Sequence, residues 1–384
     1  MEVKKQDHRE IAKNLDLYAL DEKAGQVITP VLGNKELYQI SGHLFHYQDY
    51  MFPEISRNNE SYYLRPMTCP HHCLIYQQKI LSYREMPLRL CENSLLFRYE
   101  ASGALKGLER IRWFELADHH VFVNIESLKE ELKRNYYFIQ DILNNLDFAI
   151  ERLVCSLHDS QNKEKYHPDK ELWQKSENLL ITALEEMKEE TKLEYLIQKG
   201  EAAFYGPKLD LEVKAADGKH ITIATIQLDF LLPQKFNLRY IDKEQKLQTP
   251  IIIHQSPIGS YQRFISLLLE KTSGKLPIWL APVQLVILPL NDQKEVKEYS
   301  ENLQKKLLSN NFRSEIWQEK TLNYRVKQVY EKKIPYRLVI GEEELKNKKL
   351  KLVYTYSPKK VNELTEDELL AKLKAENNVA KIET

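Results

Sequence analysis

The sequence is poor in cysteine, in long apolar runs and in net charge. Its four cysteines, Cys69, Cys73, Cys91 and Cys155, stand at irregular spacings among 384 residues, too few for the disulfide framework of a small secreted scaffold. A reducing, cytoplasmic setting is the default expectation. No stretch approaches the roughly 20 consecutive apolar residues that span a bilayer, and the opening MEVKKQDHREIAKNLDLYAL has no apolar core of signal-peptide length. A membrane is therefore not an expected partner. Lys+Arg 56 against Asp+Glu 56 leaves a net charge of zero. Binding driven by a generally basic surface is excluded, and any RNA would be held by local patches and by shape.

What is present describes a globular protein: 42% hydrophobic, 10% aromatic and 29% charged residues. At roughly 100–200 residues per domain the length predicts two or three domains. From Pro282 onward the pattern alternates. VQLVILPL reads as a buried strand, Asp292 to about Ser309 as an amphipathic helix, and RSEIWQ as a strand. A helix from Asn323 to Lys333, the strands YRLVIG and LKLVYTY, and a helix opened by the capping box Thr365-x-x-Glu368 complete a compact α/β domain. Upstream, Ser127-x-x-Glu130 opens a predicted helix with Leu128, Leu132, Tyr136, Ile139 and Leu143 on one face, ending near Asn144-Asn145. LDLEVKAADGKHITIATIQLDFLL alternates on both sides of Asp217-Gly218 and reads as a hairpin. Residues 1–281 are expected to form one α+β domain, and 282–384 the α/β domain.

Several segments carry chemistry. FRYEASGALKGLERIRWFELADHHVFV, residues 97–123, puts Arg98, Glu100, Arg110 and Arg112 on what should be two strands joined by a small-residue loop. A guanidinium forks onto carboxylate or phosphate, so the unit could clamp a triphosphate; taken alone, ordinary surface charge on a hairpin is the better explanation. MTCPHHCLIY offers Cys69, His71, His72 and Cys73, and ADHHVF offers His119 and His120. These lack the paired spacings of a local structural zinc site, whereas a catalytic zinc takes three ligands from any segments. Spacing leaves both open. FYGPKLDLEV places Tyr205, Lys208 and Asp210 beside a Gly206-Pro207 turn. In IIIHQSPIGSYQRFISLLLE a buried strand, a Gly259-Ser260 break and a helix follow one another, with Arg263 in the helix's first turn. The helix dipole does not favour a cation there, so a ligand anion or a buried acid is the expected partner.

In this order, HREIAKNLDLY, MTCPHH, the arginine hairpin, GEAAFYGPKLDLEV, TIQLDFLLPQKFNLRYID and HQSPIGSYQRF resemble the bacterial-type threonyl-tRNA synthetases, class II aminoacyl-tRNA synthetases. The resemblance implies an antiparallel sheet with flanking helices, followed by an anticodon-binding α/β domain. It implies ATP-dependent attachment of L-threonine to threonine tRNA through threonyl-adenylate, with magnesium bound to ATP. By the same resemblance Arg98 and Glu100 belong to motif 2, contacting the α-phosphate with the substrate carboxylate, and the adenine amino group. Arg110 is a further ATP arginine, and Gly259, Ser260 and Arg263 belong to motif 3. Cys69, His120 and His254 match three zinc ligands. Asp118 matches the acceptor of the threonine hydroxyl, and Tyr205, Lys208, Thr225 and Gln227 match residues around the amino acid and ATP. Glu344 matches a base-reading acid of the anticodon domain.

Departures from the family shape further expectations. Its small N-terminal domain and its editing domain have no counterpart here, so serine is not expected to be cleared in cis. The strand of motif 1 is kept at Pro30, but the long helix that builds the family's homodimer is missing between LDLYALDEKAG and QVITPVL, which puts dimerisation in doubt. Leu116 stands where the family has a polar residue, Gln255 where it has an arginine, and Val353 where an anticodon-reading arginine is expected. The alternative reading is a synthetase-like protein that binds tRNA or ATP with weak or no aminoacylation.

Overall fold

The hairpin read around Gly218 forms the middle of the largest sheet. The computed structural model describes residues 24–377, apart from 163, 164, 167, 192, 193, 216, 217 and 360; the LDLYAL segment and Asp217 lie outside the described residues. Eight strands, Gly25–Gln26 (β1), Leu88–Phe97 (β2), Trp113–Val123 (β3), Arg152–Leu157 (β4), Tyr195–Lys199 (β5), Lys208–Lys214 (β6), His220–Asp229 (β7) and Ile251–Ser256 (β8), make one sheet in the order β1-β2-β3-β8-β7-β6-β4-β5. Only the outermost pairs, β1 with β2 and β4 with β5, are parallel. Every inner pair is antiparallel. β1 is only two residues long, and Pro30, where a strand was expected, lies beyond it and outside any strand.

Helices cover this sheet. The helix Leu128–Asn145 (α2), following the helix Cys69–Gln77 (α1), buries all five residues of its predicted face, Leu128, Leu132, Tyr136, Ile139 and Leu143. Each such side chain contributes roughly 1.5–3 kcal/mol by leaving water. Its start differs from the capping box expected there: Ser127 caps nothing with its side chain, and Asn124 Oδ1 instead accepts from the Ser127 N–H at 2.9 Å. A third helix, Lys170–Thr191 (α3), follows β4 in the chain. The arginine segment also differs from expectation. β2 ends at Phe97 and β3 begins at Trp113, so Arg98, Glu100, Arg110 and Arg112 lie in the connection. There a short bridge between Lys106 and Arg110 holds the turn.

Backbone contacts gather into two units that divide at Ser266 and Leu267, within the helix Tyr261–Thr272 (α4). In the second unit the strands Leu285–Pro289 (β9), Ser314–Ile316 (β10), Tyr336–Ile340 (β11), Leu350–Tyr354 (β12) and Val361–Leu364 (β13) order as β10-β9-β11-β12-β13. β9 pairs parallel with β10 and β11, and β12 runs antiparallel to β11 and β13. The helices Lys294–Ser309 (α5), Leu322–Glu331 (α6) and Glu366–Glu376 (α8) fall where the alternation placed them; the short helix Glu342–Asn347 (α7) and β13 were not foreseen. Thr365 and Glu368 form both halves of the capping box. Ile278 joins the core of this unit, and Arg313 donates to the carbonyls of Trp279 and Ala281 at 2.8 and 3.0 Å. The segment before residue 282 is thus bound to the C-terminal sheet.

Candidate active site

Antiparallel pairing places polar residues of four neighbouring strands on one face of the large sheet. His254 lies opposite His120 on one side and Gln227 on the other, Gln227 lies opposite Lys208, and Thr225 opposite Asp210. Asp118 precedes His120 by two residues and therefore shares its face. The first residue of α1, Cys69, closes the end of this row. Together they wall a cavity of about 430 Å³ that contains Cys69, Arg98, Asp118, His120, Tyr205, Lys208, Thr225, Gln227 and His254. Leu116, Gln255, Lys165 and Glu201 complete parts of the wall; the resemblance gave no role to Lys165 or Glu201.

At one end, Cys69, His120 and His254 are all buried and offer ligand atoms within 4.8 Å of one another. Each imidazole has one nitrogen engaged on its outer side: His254 Nε2 lies 3.0 Å from Asp229 Oδ2, and His120 Nδ1 lies 2.8 Å from His72 Nδ1. His254 Nδ1 and His120 Nε2 are left for the triad. Burial, followed by the charges of Cys73, Asp118 and Asp229, pushes the Cys69 thiol well above its usual range. Burial likewise pulls His120 well below its own, helped by His254, His72 and His119. A thiol and two backed imidazoles with one side open are the donor set of a three-ligand zinc site. The residues fit that group. Asp118, beside them, is raised by burial, against the pull of His72, Thr68 and His254.

Tyr205 stacks on His254 with ring centroids 5.0 Å apart and donates its hydroxyl to Gln227 Oε1 at 2.5 Å. Gly206 then passes so close to β7 that a Cβ there would stand 1.7 Å from the Leu228 carbonyl oxygen, so only glycine fits. The foreseen Gly206-Pro207 turn is a close backbone crossing. Lys208 Nζ contacts Asp210 Oδ2 at 2.7 Å.

The other end is cationic. Arg98 Nε donates to the Pro66 carbonyl at 3.3 Å, with its guanidinium 5.0 Å from the centre of the Phe114 ring. Arg110 Nε meets Glu100 Oε2 at 3.1 Å. Arg263 donates through Nε to the Glu109 carbonyl at 3.1 Å, and its N–H reaches Ser260 Oγ at 3.3 Å. Although its tip reaches solvent, partial desolvation and then Arg110 and Arg98 lower its pKa. Three guanidiniums held this close repel one another unless an anion joins them. Glu100, Arg110, Ser260 and Arg263 do not line the cavity itself; Arg98, which does, is near enough to bear on the charge of Arg263. Glu344 lies in the C-terminal unit, where its Oε2 accepts the Gly341 N–H at 2.9 Å as part of the α7 cap.

Residues 50–272 match the family described as "tRNA synthetase class II core domain (G, H, P, S and T)", and 284–376 match "Anticodon binding domain". A solved structure titled as the RNA binding domain of threonyl-tRNA synthetase from Cryptosporidium parvum Iowa II superposes with a TM-score of 0.88 at 32% identity, over 97% of this chain and 90% of that one. The chain belongs to the threonyl-tRNA synthetase family of class II synthetases. Among curated relatives, the threonine--tRNA ligase of Mycoplasma genitalium is 43% identical, over 89% of this chain and 66% of its own length. Threonine--tRNA ligase 1 of Bacillus subtilis is 38% identical, over 98% of this chain and 62% of its own. The chain thus spans just under two thirds of the length of these relatives. The Bacillus alignment occupies 407 positions against 384 residues here, which leaves relative positions inside the match without a counterpart. A prolyl-tRNA synthetase of Giardia lamblia, at 17% identity and a TM-score of 0.67, shares the fold.

Proposed function

We propose that this chain joins L-threonine to ATP as threonyl-adenylate and passes the threonyl group to its cognate tRNA. The observation that carries the reading is one cavity lined by the Cys69–His120–His254 triad, Asp118 and Arg98, with the Arg110–Glu100 pair and Arg263 outside that lining but near enough to Arg98 to bear on one another's charge. A carboxylate oxygen of threonine attacks the α-phosphorus of ATP and the bond to pyrophosphate breaks. No protein nucleophile is needed, because positioning and charge stabilisation suffice. In this reading Arg98 holds the α-phosphate and the threonine carboxylate, Glu100 the adenine amino group, and Arg110 the phosphates. Arg263, set by Ser260 at the helix start, lies along the adenine and reaches the γ-phosphate. Lys208, Thr225 and Gln227 border the ATP, with Tyr205 and Asp118 toward the amino acid. Magnesium accompanies ATP and offsets phosphate charge. Asp118 accepts the threonine hydroxyl, which valine lacks; a site built for that bond rejects valine by leaving its own polar groups unpaired.

Zinc held by Cys69, His120 and His254 would supply, through its open position, a Lewis-acidic seat for the amino and hydroxyl groups of threonine. Residues 1–281 serve as the catalytic domain and 282–384 as the anticodon-binding domain, with Glu344 a candidate for reading a base. The setting is cytoplasmic. A homodimer of the family's kind would need a surface other than the motif 1 helix. Threonine-dependent exchange of pyrophosphate into ATP is the deciding assay: exchange by the zinc-loaded protein is expected, and its absence would leave a protein that binds tRNA or ATP without activating threonine.

A further inference from the structure

Behind His120 lies a chain of buried polar side chains that no catalytic step above uses. His120 Nδ1 is 2.8 Å from His72 Nδ1, and the two rings stand nearly perpendicular, at 87°. The other nitrogen of His72, Nε2, is 3.2 Å from Glu92 Oε2. Glu92 Oε2 also accepts the Thr29 hydroxyl at 2.6 Å, while Oε1 accepts Arg65 Nη2 at 2.8 Å. Arg65 further donates through Nη1 to Thr29 Oγ1 at 2.5 Å and through Nε to the Leu95 carbonyl at 2.9 Å. Arg65, His72 and Glu92 are each at most 2% exposed.

The direction of every hydrogen in this chain follows from its ends. Burial pushes the Glu92 carboxyl up, but hydrogen bonds from His72, Thr29 and Arg65 outweigh it and hold the group down to about 2. An ionised carboxylate only accepts, so His72 Nε2 carries the hydrogen. Arg65 and Glu92 already balance in charge, and between Glu92 and His120 the His72 ring needs only the one hydrogen it gives to Glu92. Its Nδ1 is then a lone pair that receives the hydrogen of His120 Nδ1, which leaves His120 Nε2 as the lone pair on the triad side, 3.8 Å from Asp118 Oδ1 and too far from it for a hydrogen bond to claim the proton. We propose that Glu92, acting through His72, fixes the tautomer and ring orientation of His120, so that both are positioning residues for the substrate end of the cavity. His254 is backed by a single carboxylate, Asp229; His120 is backed by a two-residue relay reaching Thr29 beyond β1 and Arg65 ahead of α1.

This rests on the metal-site reading for its purpose but not for its test. In metal-free protein labelled with nitrogen-15 histidine, His120 is expected with its hydrogen on Nδ1. A hydrogen on Nε2 would overturn the proposal whatever the metal does. Zinc affinity, competed against a chromophoric chelator, is expected to fall about 10–100-fold in His72→Phe, the range found when such supporting partners are lost. His72→Gln can accept from His120 and donate to Glu92, and is expected to recover most of that loss; a purely structural role would not distinguish the two variants in this way. A folded His72→Phe protein with unchanged zinc affinity refutes the relay. Wild-type protein that takes up no zinc, yet shows the Nδ1 tautomer, refutes the metal reading and leaves the relay standing. If His72→Phe does not fold, the wild-type tautomer alone decides.

Discussion

Two strands of the protein are buried along their whole length and are opposite in chemistry. The strand Ile251–Ser256 reads IIIHQS and the strand Leu285–Pro289 reads LVILP. In the first, burial of polar groups is offset by specific partners: His254 meets Asp229, and Gln255 Oε1 meets His119 Nδ1 at 3.1 Å. Ser256 Oγ is buried with no partner and faces the cavity. In the second, the strand packs with Leu338, Ile340, Leu350 and Leu352 in an apolar core. The polar contacts that matter there sit at helix ends, such as the Glu344 and Thr365 caps. A buried strand with paired polar side chains therefore marks the reacting face, and one without them marks the scaffold.

Breaking each side of this contrast should give distinct signatures. Arg98→Ala is expected to lower threonine-dependent exchange about 1,000-fold, the size found for loss of a single charge-stabilising donor, with the melting temperature nearly unchanged; an active variant would remove Arg98 from the chemistry. Leu338→Ala, in the apolar core, should cost roughly 3 kcal/mol in denaturant unfolding. Exchange at low temperature should be spared. Cys69→Ser is expected to lose bound zinc and to reduce exchange about 100-fold, and full activity in metal-free protein would refute the metal assignment. Glu344→Ala should cost only about 1 kcal/mol through the lost cap.

Acid sharpens the contrast further. The folded Glu92 carboxyl is held near 2, below its ordinary value of 4.5. Its contribution to stability is fully present above the unfolded value and is lost as pH falls through the folded one. Stability measured from about pH 4.5 down to 2 should therefore decline, and Glu92→Gln should flatten that part of the curve.

Much of the C-terminal unit was legible because its rhythm is local. LVIL, YRLVI and LKLVY are short apolar runs separated by amphipathic helices, and each run became a strand. The catalytic unit was legible in its hairpin and in α2. It was misread at Ser127, whose side chain caps nothing while Asn124 Oδ1 accepts its N–H, and at Arg98 to Arg112, where the strands stopped short of the charges. The site itself could not be assembled from spacing. Cys69, His120 and His254 lie far apart in the chain and meet only through the antiparallel pairing of β3 with β8 and the approach of α1; the resemblance supplied the set. The relay through His72, Glu92 and Arg65 left no local pattern, since a buried Arg–Glu pair cannot be told from surface charge until the fold joins the segments.

Gly206 carries a consequence for how this sequence can vary over time. Since a single methyl group would collide with the Leu228 carbonyl, the crossing tolerates no substitution, and the spacing between Tyr205 and Gln227 is inherited as a unit. The bond between Tyr205 and Gln227 is made across that crossing. A library that randomises this pocket to admit a different amino acid should therefore leave position 206 untouched and place its diversity at 116, on the cavity wall.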